Sequence, residues 1–472
     1  MYNPKSQKAE EFISHEEILE TLEYAEKNKN NIELIDTILE KANKRKGLSH
    51  REASVLLACD LDDKNKKIFE LAEQIKKDFY GNRIVLFAPL YLSNYCVNGC
   101  IYCPYHYDNK TICRKKLTQE EIKNEVIALQ DMGHKRLAIE TGEDPVNNPI
   151  EYVLESINTI YSIKHKNGAI RRVNVNIAAT TVENYRKLHE AGIGTYILFQ
   201  ETYNKKSYEE LHPTGPKHNY AYHTEAMDRA MQGGIDDVGL GVLFGLESYK
   251  YEFAGILMHA EHLEAVYGVG PHTISVPRIK KADGIDPNTF DNGIDDDIFA
   301  KIVACIRISV PYTGMIVSTR ETEECRKRLL SLGVSQISGG SKTSVGGYFN
   351  PMPEDENSAQ FDVSDRRPLD DVIRWLIEMG YLPSFCTACY SSGRTGDKFM
   401  DLCKEQQIHN FCQPNALMTL KEYLVDYASE ATQKVGFKLI AEQAELLENP
   451  AIKATVLDNL QKIEQGERDF KF

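Results

Sequence analysis

The sequence predicts an α/β chain built on a TIM-type parallel (β/α)8 barrel, with an N-terminal helical segment and a C-terminal, mostly helical module. Three observations point to it. From Asn82 onward short β-branched runs alternate with amphipathic segments, and eight such runs are each followed by a helical pattern. Gly133, Gly192, Gly233 and Gly333 stand where those helices should end. A doubly wound open sheet is the alternative with the same cadence. The expected boundaries are 1–81 for the helical segment, 82–381 for the barrel and 382–472 for the C-terminal module.

Residues 7–80 read as helices because "EEILETLEYAEK" and "IFELAEQIKKDFYG" space their apolar positions by three and four. The strand runs are RIVLFAPL (83–90), RLAIE (136–140), RVNVNI (172–177), TYILFQ (195–200), VGLGVLF (238–244), HTISVPR (272–278), GMIVST (314–319) and VSQIS (334–338). Helical patterns such as TQEEIKNEVIALQDMG and EYVLESINTIYSIKH fill the gaps, and RPLDDVIRWLIEMG follows the eighth strand. From about Leu382 the alternation stops, and the tail carries its own cysteines.

A chain of 472 residues with 42% hydrophobic and 27% charged residues buries a large core and is not disordered overall. The formal net charge of −14 argues against nucleic acid or an anionic membrane as a partner, since both need a basic face. The N-terminus, MYNPKSQKAEEF, has no apolar core of a signal peptide, and no apolar stretch approaches membrane-spanning length. The expected compartment is the cytoplasm. Eleven cysteines are too few for a disulfide scaffold, and their bunching points to metal binding or catalysis. Cys59, Cys305 and Cys325 stand alone in apolar or helical patterns and read as small buried hydrophobes.

In a barrel, chemistry belongs at the C-terminal ends of the strands. There the sequence places Cys96, Cys100 and Cys103 after strand one, TGEDP (141–145) after strand two and QET (200–202) at the end of strand four. Arg278 ends strand six, Arg320 follows strand seven, and SGGSKTSVGG (338–347) follows strand eight. That glycine-rich run lacks the helix-opening Gly-Lys-Ser/Thr of a phosphate cradle and reads as close backbone approach to cofactor or substrate.

The spacing C-x3-C-x2-C offers three thiolates, each able to hold one iron of a cubane cluster, with the fourth iron left open. A zinc site completed by Cys113 or His106 is the competing reading. The C-terminal Cys386, Cys389 and Cys412 form C-x2-C-x22-C, with Cys403 between them. They suit either a zinc site completed by Cys403 or His409 or a second iron–sulfur cluster.

The first triplet, with the strand before it and Tyr102 inside it, resembles the radical S-adenosylmethionine (SAM) superfamily, whose C-x3-C-x-aromatic-C motif follows the first barrel strand. Together with the C-terminal triad, the runs "NRIVLFAPLYLSNYCVNGC", "RRVNVNIAATTVENY", "GVGPHTISVPR" and "YLPSFCTACY" closely resemble the HydG family of FeFe-hydrogenase maturases, which are tyrosine lyases. The match runs from about residue 80 to the C-terminus. The resemblance implies a SAM-binding 4Fe-4S cluster on Cys96, Cys100 and Cys103. It implies a second, auxiliary 4Fe-4S cluster on Cys386, Cys389 and Cys412, with a fifth, "dangler" iron bound through free cysteine.

In that reading Thr141, Gly142 and Glu143 meet the methionine end of SAM. Glu143 alternatively caps the Glu-Asp-Pro turn, and Glu201 is a further cofactor contact. Arg320 is the first candidate for the carboxylate of L-tyrosine, because a guanidinium fork suits bidentate binding, and Arg278 is the second. Ion pairs tying strand ends together are the plainer reading of both. Of the two histidines in "LMHAEHLE", His262 rather than His259 is the expected dangler ligand.

The implied reaction cleaves tyrosine at Cα–Cβ to p-cresol and dehydroglycine, then makes carbon monoxide and cyanide for an iron synthon of the hydrogenase. Other hydrogenase maturases and an electron donor are the implied partners. The nearest alternative is a ThiH-type tyrosine lyase serving thiamine thiazole synthesis, which lacks the C-terminal triad. A non-enzymatic iron–sulfur scaffold is the alternative of a different class.

Overall fold

The computed structural model describes residues 1–349, 357–391 and 409–472. Cys403 lies outside these residues. Eight parallel strands close into a barrel: β1 (Arg83–Ser93), β2 (Arg136–Thr141), β3 (Arg172–Asn176), β4 (Tyr196–Ile197), β5 (Val238–Gly241), β6 (Thr273–Ser275), β7 (Gly314–Val317) and β8 (Gln336–Ser338). Each pairs with the next, and β8 returns to β1 through Val85↔Gln336, Leu86↔Ile337 and Phe87↔Ser338. Closure rules out the open doubly wound sheet and leaves no exposed edge between β8 and β1. All eight expected strands are present, several shorter than their apolar runs. The pattern of β1, buried along nearly its whole length, is that of a parallel strand covered on both faces.

A ninth strand, β9 (Leu382–Ser384), adds outside the barrel to the start of β1, pairing Arg83↔Leu382 and Val85↔Ser384. It carries the chain from the barrel wall directly into the C-terminal cysteines.

The surrounding helices follow from local sequence. Thr118 and Glu121 form a capping box at Gln119–Asp131, as Ser49 and Glu52 do at His50–Ala58, each worth about 1 kcal/mol. The helix Leu369–Glu378 buries Leu369, Val372, Ile373, Leu376 and Ile377, one apolar stripe at three- and four-residue spacing. Of the glycines expected at helix ends, Gly133 and Gly192 are left-handed (φ 94° and 73°). Gly233 is still helical, and its neighbour Gly234 takes the positive φ instead. Gly333 is extended.

The N-terminal helices pack on the outer barrel helices, His50–Ala58 against Tyr249–Tyr267 and Asp62–Tyr80 against Asp296–Ser309. The C-terminal helix His409–Asp426 packs on β9, and its Glu422 forms a fully buried ion pair with Lys135 just before β2. The C-terminal module is thereby fixed to the N-terminal end of the barrel. No helix among the described residues is long and apolar enough to cross a membrane.

Candidate functional site

The barrel interior holds two chambers. The upper one, at the C-terminal ends of the strands, has a volume of about 230 Å³. It is lined by Cys96, Cys100 and Cys103, by Tyr102, by Thr141, Gly142 and Glu143, and by Glu201 and Arg320. The loop after β1 is stitched to the loop after β2. Val97 N donates to the Glu143 carbonyl (2.8 Å), and Gly142 N donates to the Ser93 carbonyl (3.1 Å). A Cβ at Gly142 would lie 2.4 Å from the Tyr95 carbonyl oxygen, so only glycine fits between the cysteine loop and β2. Cys113 and His106 do not line this chamber.

The charged groups interlock. Asn98 Nδ2 donates to Glu143 Oε2 (2.6 Å), and Asn98 Oδ1 accepts from Lys217 N (2.9 Å). Lys217 Nζ donates to Glu201 Oε1 at 2.9 Å. Burial works against the Lys217 ammonium, but Glu201 and Cys100 beside it keep its pKa above the ordinary lysine value. Glu201 is held in the left-handed region at φ 67°, a strain of about 1–3 kcal/mol for a residue with a Cβ. The buried Glu252 sustains it by accepting from the Thr202 hydroxyl and from Tyr203 N (2.8 Å). Tyr102 Oη lies 2.7 Å from His212 Nε2.

Arg320 stacks over Phe361, 3.6 Å from its centroid, with its guanidinium in the chamber. Nearby on the wall, Glu140 is pushed up to about 8 by burial, opposed by Arg320 and a hydrogen bond from Asn176. Sequence reasoning stopped one residue short of Glu140 and passed over Lys217 entirely.

The lower chamber, about 80 Å³, lies at the N-terminal ends of the strands. Cys386, Cys389 and Cys412 line it together with Arg83, Arg136 and His272. The two chambers share walls: along β1 Val85 lines the lower and Phe87 and Pro89 the upper, and along β7 Gly314 lines the lower and Ile316 the upper. They are successive levels of one lumen, since side chains of equal parity on a barrel strand face the same side.

Among the described residues, no three ligand atoms at either thiol group lie within 4.8 Å of one another, a spread that suits a polynuclear cluster gripped at separate irons. The other zinc partners of the C-terminal thiols, Cys403 and the His409 side chain, lie outside the described residues. Burial pushes the Cys100 thiol up to about 12, with Lys217 opposing the shift.

Three expectations fail on geometry. His262 lines neither chamber. Its Nδ1 lies 2.8 Å from the Pro4 carbonyl oxygen, its Nε2 lies 3.0 Å from Asp228 Oδ1, and its ring stacks on Phe12 at 3.8 Å. Nδ1 and the ring dock the N-terminal segment, Nε2 ties the histidine to the helix Ala226–Gln232, and His259 is likewise turned away, to Tyr203. The histidine that lines the lower chamber with the C-terminal thiols is His272, just before β6. Arg278 does not line the upper chamber either. It is bound by Glu321 and Asp296 and stacks over Phe299, the ion pair that ties strand ends together. Its guanidinium occupies the Asp296–Glu321–Cys325 group, the one described cluster with metal-ligand spacing. Lastly, Gly339 and Gly340 after β8 approach Leu369 and Met132 rather than the chamber, so that loop packs against protein.

Comparison with known proteins agrees with this geometry. Residues 90–255 match the radical SAM superfamily, and residues 275–382 match the Biotin and Thiamin Synthesis associated domain. A crystal structure of HydG, a maturase of the [FeFe]-hydrogenase, superposes with a TM-score of 0.94 at 55% identity, over 98% of this chain and 100% of that one. The FeFe-hydrogenase maturase HydG from Carboxydothermus hydrogenoformans superposes with a TM-score of 0.83 at 39% identity, over 96% and 99% of the two chains. A 2-iminoacetate synthase of Salmonella typhimurium is 28% identical over 347 residues, 73% of this chain and 89% of the relative.

Proposed function

The chain belongs to the HydG family of radical SAM FeFe-hydrogenase maturases, and from that membership we propose that it cleaves L-tyrosine in the upper chamber and delivers the remaining fragment to a second cluster in the lower one. The cluster on Cys96, Cys100 and Cys103, when bound, supplies one electron to the sulfonium of SAM and so a 5′-deoxyadenosyl radical. The chain's own residues position the reactants. Thr141, Gly142 and Glu143 take the methionine end of SAM, and Glu201, braced by Lys217 and Glu252, takes another part of the cofactor. Arg320 offers its fork to the tyrosine carboxylate. Glu140 accepts a proton at its carboxyl from the substrate ammonium, leaving the neutral amine from which a hydrogen atom is removed.

Cleavage at Cα–Cβ leaves dehydroglycine and a 4-hydroxybenzyl radical, which a further electron from the donor and a proton convert to p-cresol. The carbons and nitrogen of dehydroglycine leave as carbon monoxide and hydrogen cyanide with loss of water. A dangler iron, when bound, would be held by His272 in place of His262 together with free cysteine, and would supply the centre that takes up carbon monoxide and cyanide for the hydrogenase. Cys386, Cys389 and Cys412 hold the auxiliary cluster. Such chemistry suits a reducing cytoplasm, an electron donor and the other maturases as partners.

The observation that carries this reading is a single lumen with three thiols at each level. The test is anaerobic: the reconstituted, reduced chain is given SAM and tyrosine. The expected products are 5′-deoxyadenosine, p-cresol and carbon monoxide, the last trapped on haemoglobin. A chain that yields none of them is a scaffold.

The second reading, a lyase that releases dehydroglycine for thiazole assembly, is favoured by the 2-iminoacetate synthase likeness. It has no use for the thiol-lined lower chamber, and it predicts p-cresol and glyoxylate without carbon monoxide.

A further inference from the structure

Arg136 opens β2 at the floor of the barrel, 6% exposed, and lines the lower chamber with the three thiols and His272. Its Nη2 donates to the Cys386 carbonyl oxygen at 2.9 Å, while its Nε is buried without a hydrogen-bond partner. No described carboxylate forms an ion pair with it. The nearby acids are committed elsewhere: Asp237 to Arg172 (3.9 Å) and His272 (3.3 Å), and Glu422 to Lys135 and Arg171. A buried guanidinium with an idle N–H is costly, and the fork it presents matches a carboxylate.

We propose that Arg136 makes the lower chamber a carboxylate-binding site for a two- or three-carbon α-amino or α-imino acid, holding that ligand beside the C-terminal thiols. The proposal rests on the two-cluster reading above. At about 80 Å³ the chamber excludes tyrosine, so its ligand is small. The lumen then has an arginine at each level, Arg320 above and Arg136 below, so a carboxylate released from one meets the other. Two ligands share the required chemistry: the fragment left by tyrosine cleavage and free cysteine.

The test uses the reconstituted full chain and reads the paramagnetic resonance signal of the C-terminal cluster during titration with three probes. These are L-cysteine, cysteamine (the same thiol and amine without a carboxylate) and glyoxylate. Wild type should respond to cysteine, to glyoxylate or to both at concentrations about tenfold below cysteamine, the worth of one charge-assisted fork. A response to cysteine identifies that source, and a response to glyoxylate identifies the fragment. Arg136→Gln should bring the cysteine and glyoxylate midpoints to that of cysteamine with iron and sulfide content unchanged. Arg136→Lys, which keeps the charge but not the fork, should weaken the carboxylates several-fold and leave cysteamine alone.

Equal wild-type midpoints for cysteine and cysteamine, with glyoxylate silent, would overturn the role of Arg136 and leave the two-cluster reading standing. So would a wild-type preference retained in Arg136→Lys, which reduces the arginine to a counter-charge. Absence of any C-terminal cluster signal would remove the two-cluster reading and the proposal together.

Discussion

Arg136 and Glu140 lie on one strand and face the two levels of one lumen, Arg136 the lower chamber and Glu140 the upper. Ala138 stands between them on the same inward row. At about 3.3 Å per residue the two ends are about 13 Å apart along the barrel interior.

Ala138 is therefore the place to block passage. Ala138→Phe puts a ring into the lumen at an overpacking cost of about 1–3 kcal/mol. Carbon monoxide should fall relative to p-cresol by about tenfold, with p-cresol formation itself largely retained. Chromatography of p-cresol beside haemoglobin trapping of carbon monoxide gives the ratio. An unchanged ratio would mean that the fragment travels by another route.

The thiols of the lower chamber divide the products in the same way. Cys386→Ser with Cys389→Ser should spare p-cresol and depress carbon monoxide, whereas Cys100→Ser should abolish both along with 5′-deoxyadenosine. Equal loss of the two products in the C-terminal variant would contradict two separate centres.

Two arginines near the strand ends have different surroundings and should behave differently. Arg320, stacked on Phe361 and open to the chamber, should show its role in affinity: Arg320→Ala raises KM for tyrosine by about tenfold to a hundredfold. SAM binding should be little altered. Arg278, bound by Glu321 and Asp296, should show its role in stability. Arg278→Ala leaves the buried Glu321 with Lys280 alone (3.4 Å) and costs about 1–3 kcal/mol, read as a fall in Tm, with the tyrosine KM of the folded fraction unchanged.

Burial pushes Glu252 up to about 8, above the ordinary carboxylate value. Between about pH 4.5 and 8 the folded chain thus holds a proton that the unfolded chain has lost, so this group makes stability fall as pH rises through that window and level off above it. The buried His134, pulled down to about 4 by burial, acts in the opposite sense, but only below about pH 6.5. Urea midpoints at pH 6.5 and 8 should therefore converge in Glu252→Gln relative to wild type. Glu140, also near 8, contributes the same slope, whereas Lys76, pulled down to about 7 by burial, opposes it above about pH 7, where only the unfolded chain keeps that proton.

Much of this was legible locally, and the remainder depends on which way a side chain faces in the closed barrel. Eight strands could be read because each is a continuous apolar run followed by a helix. The ninth could not: Leu-Pro-Ser is three residues with a proline, a composition suited only to an edge, and only its place beside Arg83–Val85 makes it a strand. Cysteine spacing carries ligation within itself, so both thiol groups were evident.

His262 misled because the helix Tyr249–Tyr267 is buried on nearly every side, and periodicity marks no inward face. A signal for the lower chamber did exist. The runs at strands one, two, three and six begin with Arg83, Arg136, Arg172 and His272, a ring of basic residues at the end a barrel ordinarily keeps for stability. Arg83, Arg136 and His272 are the members that line the lower chamber.

The most direct measurement is electron paramagnetic resonance of the reconstituted, reduced chain with and without SAM, in wild type, Cys100→Ser and the Cys386→Ser/Cys389→Ser pair. Two signals are expected in wild type. SAM should shift only the one that Cys100→Ser removes, and the C-terminal pair should remove only the other. A single signal, shifted by SAM and lost in both variants, would contradict a lumen with a separate cluster at each level.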